Sequence, residues 1–357
     1  LSGLPDFLRE MLDRGASDLH ITAGIPPMIR VRNQLIPLDY PPLNAQESRQ
    51  LCYSILSDVQ KHRLEEDQEL DLSFGLRGLS RFRANIFEQR GTLAGAFRLI
   101  PRKIPSFQEL GLPLAVDELC SKPRGLILVT GATGSGKSTT LAAMIDKINT
   151  DRREHIVTIE DPIEFLHGHK SCVVHQREVH QDTKSFHAAL RSILRQDPDV
   201  VLIGEMRDLE TVEAALTVSE TGHLTLATLH TNSCAQTINR IIDIFPDYQQ
   251  SRVRAQLSFI LEGVLCQTLI PTLDGTARVL AMEIMLPNPA LRNLIRENKI
   301  HQIYSQMQMG QTTSGMLTMN QSLMSLCQRG VISLDAALAN TSFPDELRQM
   351  IASSGGR

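Results

Sequence analysis

The stretch that decides the fold is Leu126-Ile127-Leu128-Val129-Thr130-Gly131-Ala132-Thr133-Gly134-Ser135-Gly136-Lys137-Ser138, followed by Thr139 to Ile148. A short apolar strand runs into a glycine-rich turn and then into a helix, which is the order a phosphate-binding loop requires. Glycine lets successive backbone N–H groups turn inward and come close to phosphate oxygens, where a side chain would obstruct them. The helix adds the positive end of its dipole to the same field. Lys137 brings a full charge to the outer phosphates, Ser138 a hydroxyl for Mg²⁺, and Thr133, Gly134, Ser135, Gly136 and Thr139 complete the nucleotide cradle. The stretch predicts a nucleoside triphosphatase that uses Mg²⁺.

At 357 residues the chain exceeds one ordinary core, so two or more domains are expected. A formal net charge of −4 gives no overall cationic field for nucleic acid or an anionic membrane, and any basic surface has to be local. Cys52, Cys120, Cys172, Cys234, Cys266 and Cys327 are scattered without a Cys-x-x-Cys pair, so neither a disulfide framework nor a zinc site is indicated. No apolar run approaches the roughly 18 residues that cross a bilayer, and the first residues lack a basic leader. The reading is a cytoplasmic chain with reduced thiols and no membrane insertion, and Leu1 suggests that the natural start lies upstream.

Working outward to the N-terminal side, Leu4 to Arg14 has apolar residues at helical spacing, and two alternating strands follow at 17–22 and 27–32. Asn44 is an N-cap for a helix from Ala45 to Leu56, and the acidic segment from Glu65 to Asp71 leads into a second strand pair. Along Ser80 to Ile86 the period of two puts Phe82, Ala84 and Ile86 on one face and Arg81, Arg83 and Asn85 on the other. Arg98, on a neighbouring strand, extends that cationic face. Surface arginines are common, but a rigid row of guanidinium groups also suits the charge that builds up on a transferring phosphoryl group. These residues, 1–100, read as a small α+β domain. The basic, proline-fixed stretch Pro101-Arg102-Lys103-Ile104-Pro105 opens a linker at 101–112, and a helix is expected from Leu110 to Cys120.

Beyond the loop helix, apolar strands end in polar residues three times: His155–Ile159 in Glu160-Asp161-Pro162-Ile163-Glu164, Val200–Ile203 in Gly204-Glu205, and Leu224–Leu229 in His230-Thr231. Such strands argue for a parallel α/β sheet over 113–285, with ligands at the carboxyl ends of its strands. Glu205 is the first choice for the group that orients or deprotonates water, although Gly204 stands where many such motifs place a metal-binding Asp. Glu164 is its nearest rival, and Glu160, Asp161 or Glu164 is an alternative partner for the Mg²⁺ water shell. Capping and turn formation around Pro162 is the plainer reading of these carboxylates. His223 and His230 border the third strand, His230 being either a phosphate sensor or a structural histidine. Arg195 and Arg207, close to the second strand, are weaker candidates as interface or sensor groups. Residues Gln249 to Leu269 read as one or two helices. The stretch 286–357 is expected to be helical, with Leu291, Leu294 and Ile295 on one face of a helix, Arg292 and Arg296 as a basic ridge, and a flexible tail from Ser353.

Taken together, the loop Gly131 to Ser138, the acidic box Thr158 to Glu164, the atypical Walker-B stretch Val201 to Glu205, the histidine box Gly222 to Thr231 and the arginine strand Ser80 to Arg83 resemble the secretion and type IV pilus motor ATPases. Leu291 to Glu297 resembles a motif of the pilus-retraction branch, with Leu291 in place of Ile, and the four-cysteine module of the assembly branch is absent from the sequence. The resemblance implies a PAS-like N-terminal domain, a RecA-like motor domain with C-terminal helices, and a homo-hexameric ring on the cytoplasmic side of an inner-membrane platform protein. It implies catalytic roles for Glu205, Glu164, Glu160 and His230, and phosphate contacts for Arg81, Arg83 and Arg98. Two other readings stay open: a RecA-like motor on nucleic acid, disfavoured by the absence of Trp and 4% aromatic content, and an ATP switch that scarcely hydrolyses.

Overall fold

The computed structural model describes residues 3–32, 34–101, 103–309 and 315–354. They divide into one unit of Leu1–Lys103 with Pro162–Leu166 and another of Ile104–Asp161 with His167–Arg357. Arg102 of the expected linker and residues 355 and 356 of the tail expected to be flexible from Ser353 to Gly356 lie outside the described residues, while Ser353 and Ser354 of that tail belong to the last helix.

The first unit runs α1 (Leu4–Asp13), β1 (Asp18–Ile21), β2 (Met28–Val31), β3 (Gln34–Pro37), α2 (Ala45–Tyr53), α3 (Asp58–Asp67), β4 (Glu69–Gly75), β5 (Arg81–Gln89) and β6 (Thr92–Ile100). Its strands form one antiparallel sheet in the order β3-β2-β1-β6-β5-β4, a PAS-like arrangement. Phe82, Ala84 and Ile86 are fully buried, as the alternation along β5 requires, and join Leu8, Leu19 and Phe97 in the core. Asn44 caps α2 by accepting from the Glu47 N–H. Strand β3 and helix α3 were not legible in the pattern, because β3 is mostly exposed and α3 buries only Leu64.

The second unit begins with α4 (Phe107–Leu110) and α5 (Leu114–Cys120), two helices where one was expected, since Gly111 closes α4 in the left-handed region and Pro113 restarts the chain. It continues through β7 (Gly125–Thr130), α6 (Lys137–Asp151), β8 (His155–Glu160), β9 (Val173–Glu178), α7 (Phe186–Ile193), β10 (Val200–Ile203), α8 (Leu209–Glu220), β11 (Leu224–Leu229), α9 (Cys234–Asp243) and α10 (Asp247–Ile260). After these come β12 (Leu261–Pro271), β13 (Arg278–Met285), α11 (Pro289–Arg296), α12 (Ile303–Met309), α13 (Met319–Gln328), α14 (Leu334–Ala339) and α15 (Pro344–Ser354). The sheet order is β13-β12-β7-β11-β10-β8-β9, parallel except for the β12–β13 pair, which makes this the RecA-like α/β core.

Successive residues of β7 serve opposite faces of the sheet. Leu126 and Leu128 pack with α7 to α11, while Ile127 and Val129 pack with α5 and α6. Fully burying such side chains stabilises the fold by about 1.5–3 kcal/mol each.

The expectation of helix from Gln249 to Leu269 holds only as far as Ile260. From Leu261 the chain becomes β12, parallel to β7. The apolar residues Val253, Leu257, Leu261, Val264 and Leu265 keep helical spacing across the change, so periodicity cannot mark it. Packing decides: a Cβ at Gly263 would lie 2.7 Å from the Leu119 side chain, a close approach that suits glycine in a strand against α5. The basic ridge expected on α11 is also corrected. Arg292 donates to the carbonyls of Ser258 and Phe259 and to Glu262, so it ties α11 to the end of α10, while Arg296 stays exposed.

Candidate functional site

Parallel pairing sets Thr130 beside Leu229, and Ile203 beside both Ala227 and Ile159. The segments that leave these strands therefore gather at one edge, and they carry the phosphate loop, Glu205, His230 and Glu160. His223 precedes β11 and lies at the opposite edge, about 20 Å away for a six-residue strand, with its Nδ1 3.0 Å from the Val218 carbonyl. Arg195 precedes β10 and is excluded from the site edge for the same reason. Both histidines border β11 as expected, and strand direction puts only His230 at the site edge.

In the loop, Gly131, Gly134 and Gly136 have φ of 139°, 79° and 88°. A Cβ at Gly131 would lie 2.3 Å from the Gln267 carbonyl oxygen and 2.6 Å from Ser135 Oγ, so only glycine fits. Gln267, on β12, donates from Nε2 to the Ser135 carbonyl at 2.8 Å and so fastens the loop to the sheet. Sequence reasoning missed this residue because it lay in a presumed helix. Ser135 Oγ is buried with no hydrogen-bond partner among the described residues. Lys137 folds onto its own loop, donating to the Gly131 and Ala132 carbonyls at 2.8 and 3.1 Å. Ser138 and Thr139 are half-buried in the first turn of the fifteen-residue helix α6. An ammonium group, an unpartnered buried hydroxyl and a helix N-terminus fit a nucleotide phosphate with its Mg²⁺, for which Ser138 is the hydroxyl on hand.

Lys137 Nζ lies 3.5 Å from His230 Nδ1, and His230 Nε2 lies 3.0 Å from Glu205 Oε1. One histidine therefore bridges the phosphate-loop lysine and the carboxylate beyond β10. Arg207 grips the same carboxylate with Nε 2.7 Å from Oε1 and Nη2 2.8 Å from Oε2. Burial pushes the Glu205 carboxyl up, but the hydrogen bond and charge of Arg207, with His230 and Lys137, outweigh it and hold it below its ordinary value.

Gly204 has a local reason. A Cβ there would lie 3.2 Å from the Ile159 carbonyl oxygen and 3.3 Å from Glu160 Cα, and Thr228 Oγ1 donates to the Gly204 carbonyl at 2.5 Å. The end of β10 is packed too tightly against β8 for an easy side chain. Glu160 is nearly buried and accepts from Thr158 Oγ1 at 2.6 Å and Gln176 Nε2 at 3.1 Å.

Glu164 is exposed and falls in Pro162–Leu166, part of the first unit. Arg81, Arg83 and Arg98 of the first unit share one face of its sheet. Arg83 and Arg98 are cross-strand neighbours, Arg98 Nε is 2.7 Å from Asp18 Oδ1, and Arg81 donates twice to Ser73 Oγ. Burial raises the Asp18 carboxyl, but Ser17, Arg98 and His20 bring it net below its ordinary value.

The type II/IV secretion system protein family matches residues 4–348. The type IV pilus retraction ATPase PilT of Pseudomonas aeruginosa is 50% identical over 342 residues, covering 96% of this chain and 99% of that protein. A twitching motility protein of Neisseria gonorrhoeae is 50% identical over 87% of this chain and 83% of its own length. The crystal structure of the pilus retraction motor PilT with bound ADP superimposes with a TM-score of 0.92 at 52% identity, covering 98% of this chain and all of that one. With the phosphate loop, the glutamate and the bridging histidine at one sheet edge, these likenesses establish that the chain belongs to the type II/IV secretion system protein family.

Proposed function

We propose that this chain is the ATPase motor of type IV pilus retraction, a homo-hexamer that hydrolyses ATP with Mg²⁺ and works on an inner-membrane platform protein from the cytoplasmic side. The observation that carries the chemistry is the continuous link Lys137–His230–Glu205. The near-full-length identity to a pilus retraction ATPase supports the biological role.

Glu205 orients the attacking water and takes its proton as the water oxygen bonds to the γ-phosphorus and the bond to the β-phosphate oxygen breaks, releasing ADP and phosphate. Lys137 leaves its loop carbonyls for the phosphates, and His230 reports that move to Glu205 through its two ring nitrogens. Ser138 would hold Mg²⁺, which when bound would supply charge neutralisation to the phosphates. Arg81, Arg83 and Arg98 are assigned to phosphate charge, and Glu160 to ordering the edge beside Glu205. Glu164 is the alternative base.

The test is ATP turnover against protein concentration, with mass from light scattering, for wild type, Glu205→Gln and Arg81→Ala. Turnover should rise with ring assembly, need Mg²⁺, and be lost in both variants while ATP still binds. A monomer as active as the ring, or an active Glu205→Gln, refutes the respective assignment. Expression in a piliated bacterium lacking its own retraction ATPase should restore twitching; failure there removes the retraction role but not the chemistry.

A further inference from the structure

We propose that Arg207 is a latch that holds Glu205 out of service in the resting subunit and releases it by passing to Asp161. The inference rests on the reading of Glu205 as the group that activates water. Both Glu205 oxygens lie in the guanidinium fork, at 2.7 and 2.8 Å, and Oε1 also lies 3.0 Å from His230 Nε2. A carboxylate has about four lone-pair sites, so three are engaged and the last adjoins a cation. Such a group is a poor acceptor for a proton from water.

The surrounding backbone is pinned while the arginine side chain is not. On one side, buried Met206 donates its N–H to the Thr228 carbonyl at 3.1 Å. On the other, Asp208 caps α8 by accepting from the Thr211 N–H at 2.8 Å. Between these anchors the Arg207 side chain is 76% exposed, so its rotamers change without disturbing the loop. Asp161 is exposed at the end of β8, the strand beside β10, and its charge already acts on Arg207. It is a second acceptor for the same cation. The charged and titratable groups that bear on Glu205 are Arg207, His230 and Lys137. Lysine and histidine belong to the nucleotide link, which leaves Arg207 as the free-moving control. Exposed ion pairs are weak, so the latch shifts populations a few-fold and does not block the site outright.

The experiment is a cycle on the assembled protein: wild type, Arg207→Ala, Asp161→Asn and the double variant, with Arg207→Gln as a second latch variant. The readouts are kcat and KM for ATP across pH. Loss of Arg207 should raise kcat roughly two- to fivefold, the range a partly exposed pair supports, and move the acidic limb of kcat to higher pH. Asp161→Asn should lower kcat more when Arg207 is present than when it is absent. A fall in kcat in both Arg207 variants, an unmoved acidic limb, or an equal Asp161→Asn effect in both backgrounds overturns the latch. Glu205→Gln separates the layers. If it is inactive and Arg207→Ala is no faster than wild type, only the latch fails; if it turns over normally, the base assignment fails and takes the latch with it.

Discussion

Replacing Gln267 tests whether the phosphate loop is held in shape from a strand that the motif does not include. The side chain is 2% exposed and its Nε2 meets the Ser135 carbonyl at 2.8 Å. Gln267→Leu removes that donor and leaves a buried carbonyl unsatisfied, at a cost of about 1–3 kcal/mol. The same change removes Oε1, a buried acceptor with no partner among the described residues, which offsets part of the loss. A net loss of ~1 kcal/mol lowers Tm by roughly 2–4 °C for a domain of about 250 residues. If the loosened loop must be reordered by the ligand, the same free energy weakens ADP about fivefold.

Gln267→Glu should be worse. It turns acceptor oxygens toward the Ser135 carbonyl and puts negative charge beside the anion cradle, and a loss of about 2–3 kcal/mol corresponds to roughly 30- to 150-fold in Kd. Titration calorimetry with ADP and thermal unfolding measure both effects. Wild-type ADP affinity in Gln267→Leu, or equal affinity in the Leu and Glu variants, would refute the idea that this hydrogen bond shapes the loop.

Burial raises the carboxyl of Glu283 above its ordinary value despite hydrogen bonds from Cys234 and the Met319 backbone. Its contribution to stability is complete below the unfolded pKa of about 4.3 and is lost as pH rises through the folded value. The Tm of Glu283→Gln should therefore gain on wild type as pH rises through that window, and a pH-independent difference would count against the explanation. Asp18 has the opposite sign: its carboxyl is held low, so its contribution is present above about 3.9 and lost as pH falls through the folded value. Asp18→Asn should cost about 0.5–1 kcal/mol at pH 7, discounted because Arg98 is 69% exposed, and the deficit in Tm should shrink toward acid pH. Gly204→Ala should cost about 1–3 kcal/mol by crowding β8 and should lower kcat by displacing Glu205, which thermal unfolding and turnover together would show.

Local chemistry made much of this protein legible before any coordinates. A phosphate loop is a backbone device, so Gly131 to Ser138 carry its geometry in their own order. Alternation was enough to place Phe82 inside and Arg83 outside, because a strand has only two faces. Polar residues ending buried parallel strands pointed to Glu205, Glu160 and His230 before their neighbours were known.

Partnership across the sheet was another matter. His223 and His230 both flank β11, and only the strand's direction relative to β7 puts one at the phosphate loop and the other at the far edge. The passage from α10 into β12 was hidden because a continuous apolar run satisfies helix and strand alike, and Gln267 was hidden with it. Arg207 and Glu205 are two residues apart in sequence, yet their forked pairing depends on the loop being pinned at Met206 and Asp208. The sequence by itself determined the phosphate loop, the alternating strands and the type of chemistry, since these rest on spacings within a few residues. The tertiary structure alone decided which groups meet at the site and what holds them, because the contacts that assemble it join separate segments, 93 residues apart for Lys137 and His230 and 132 for Gln267 and Ser135.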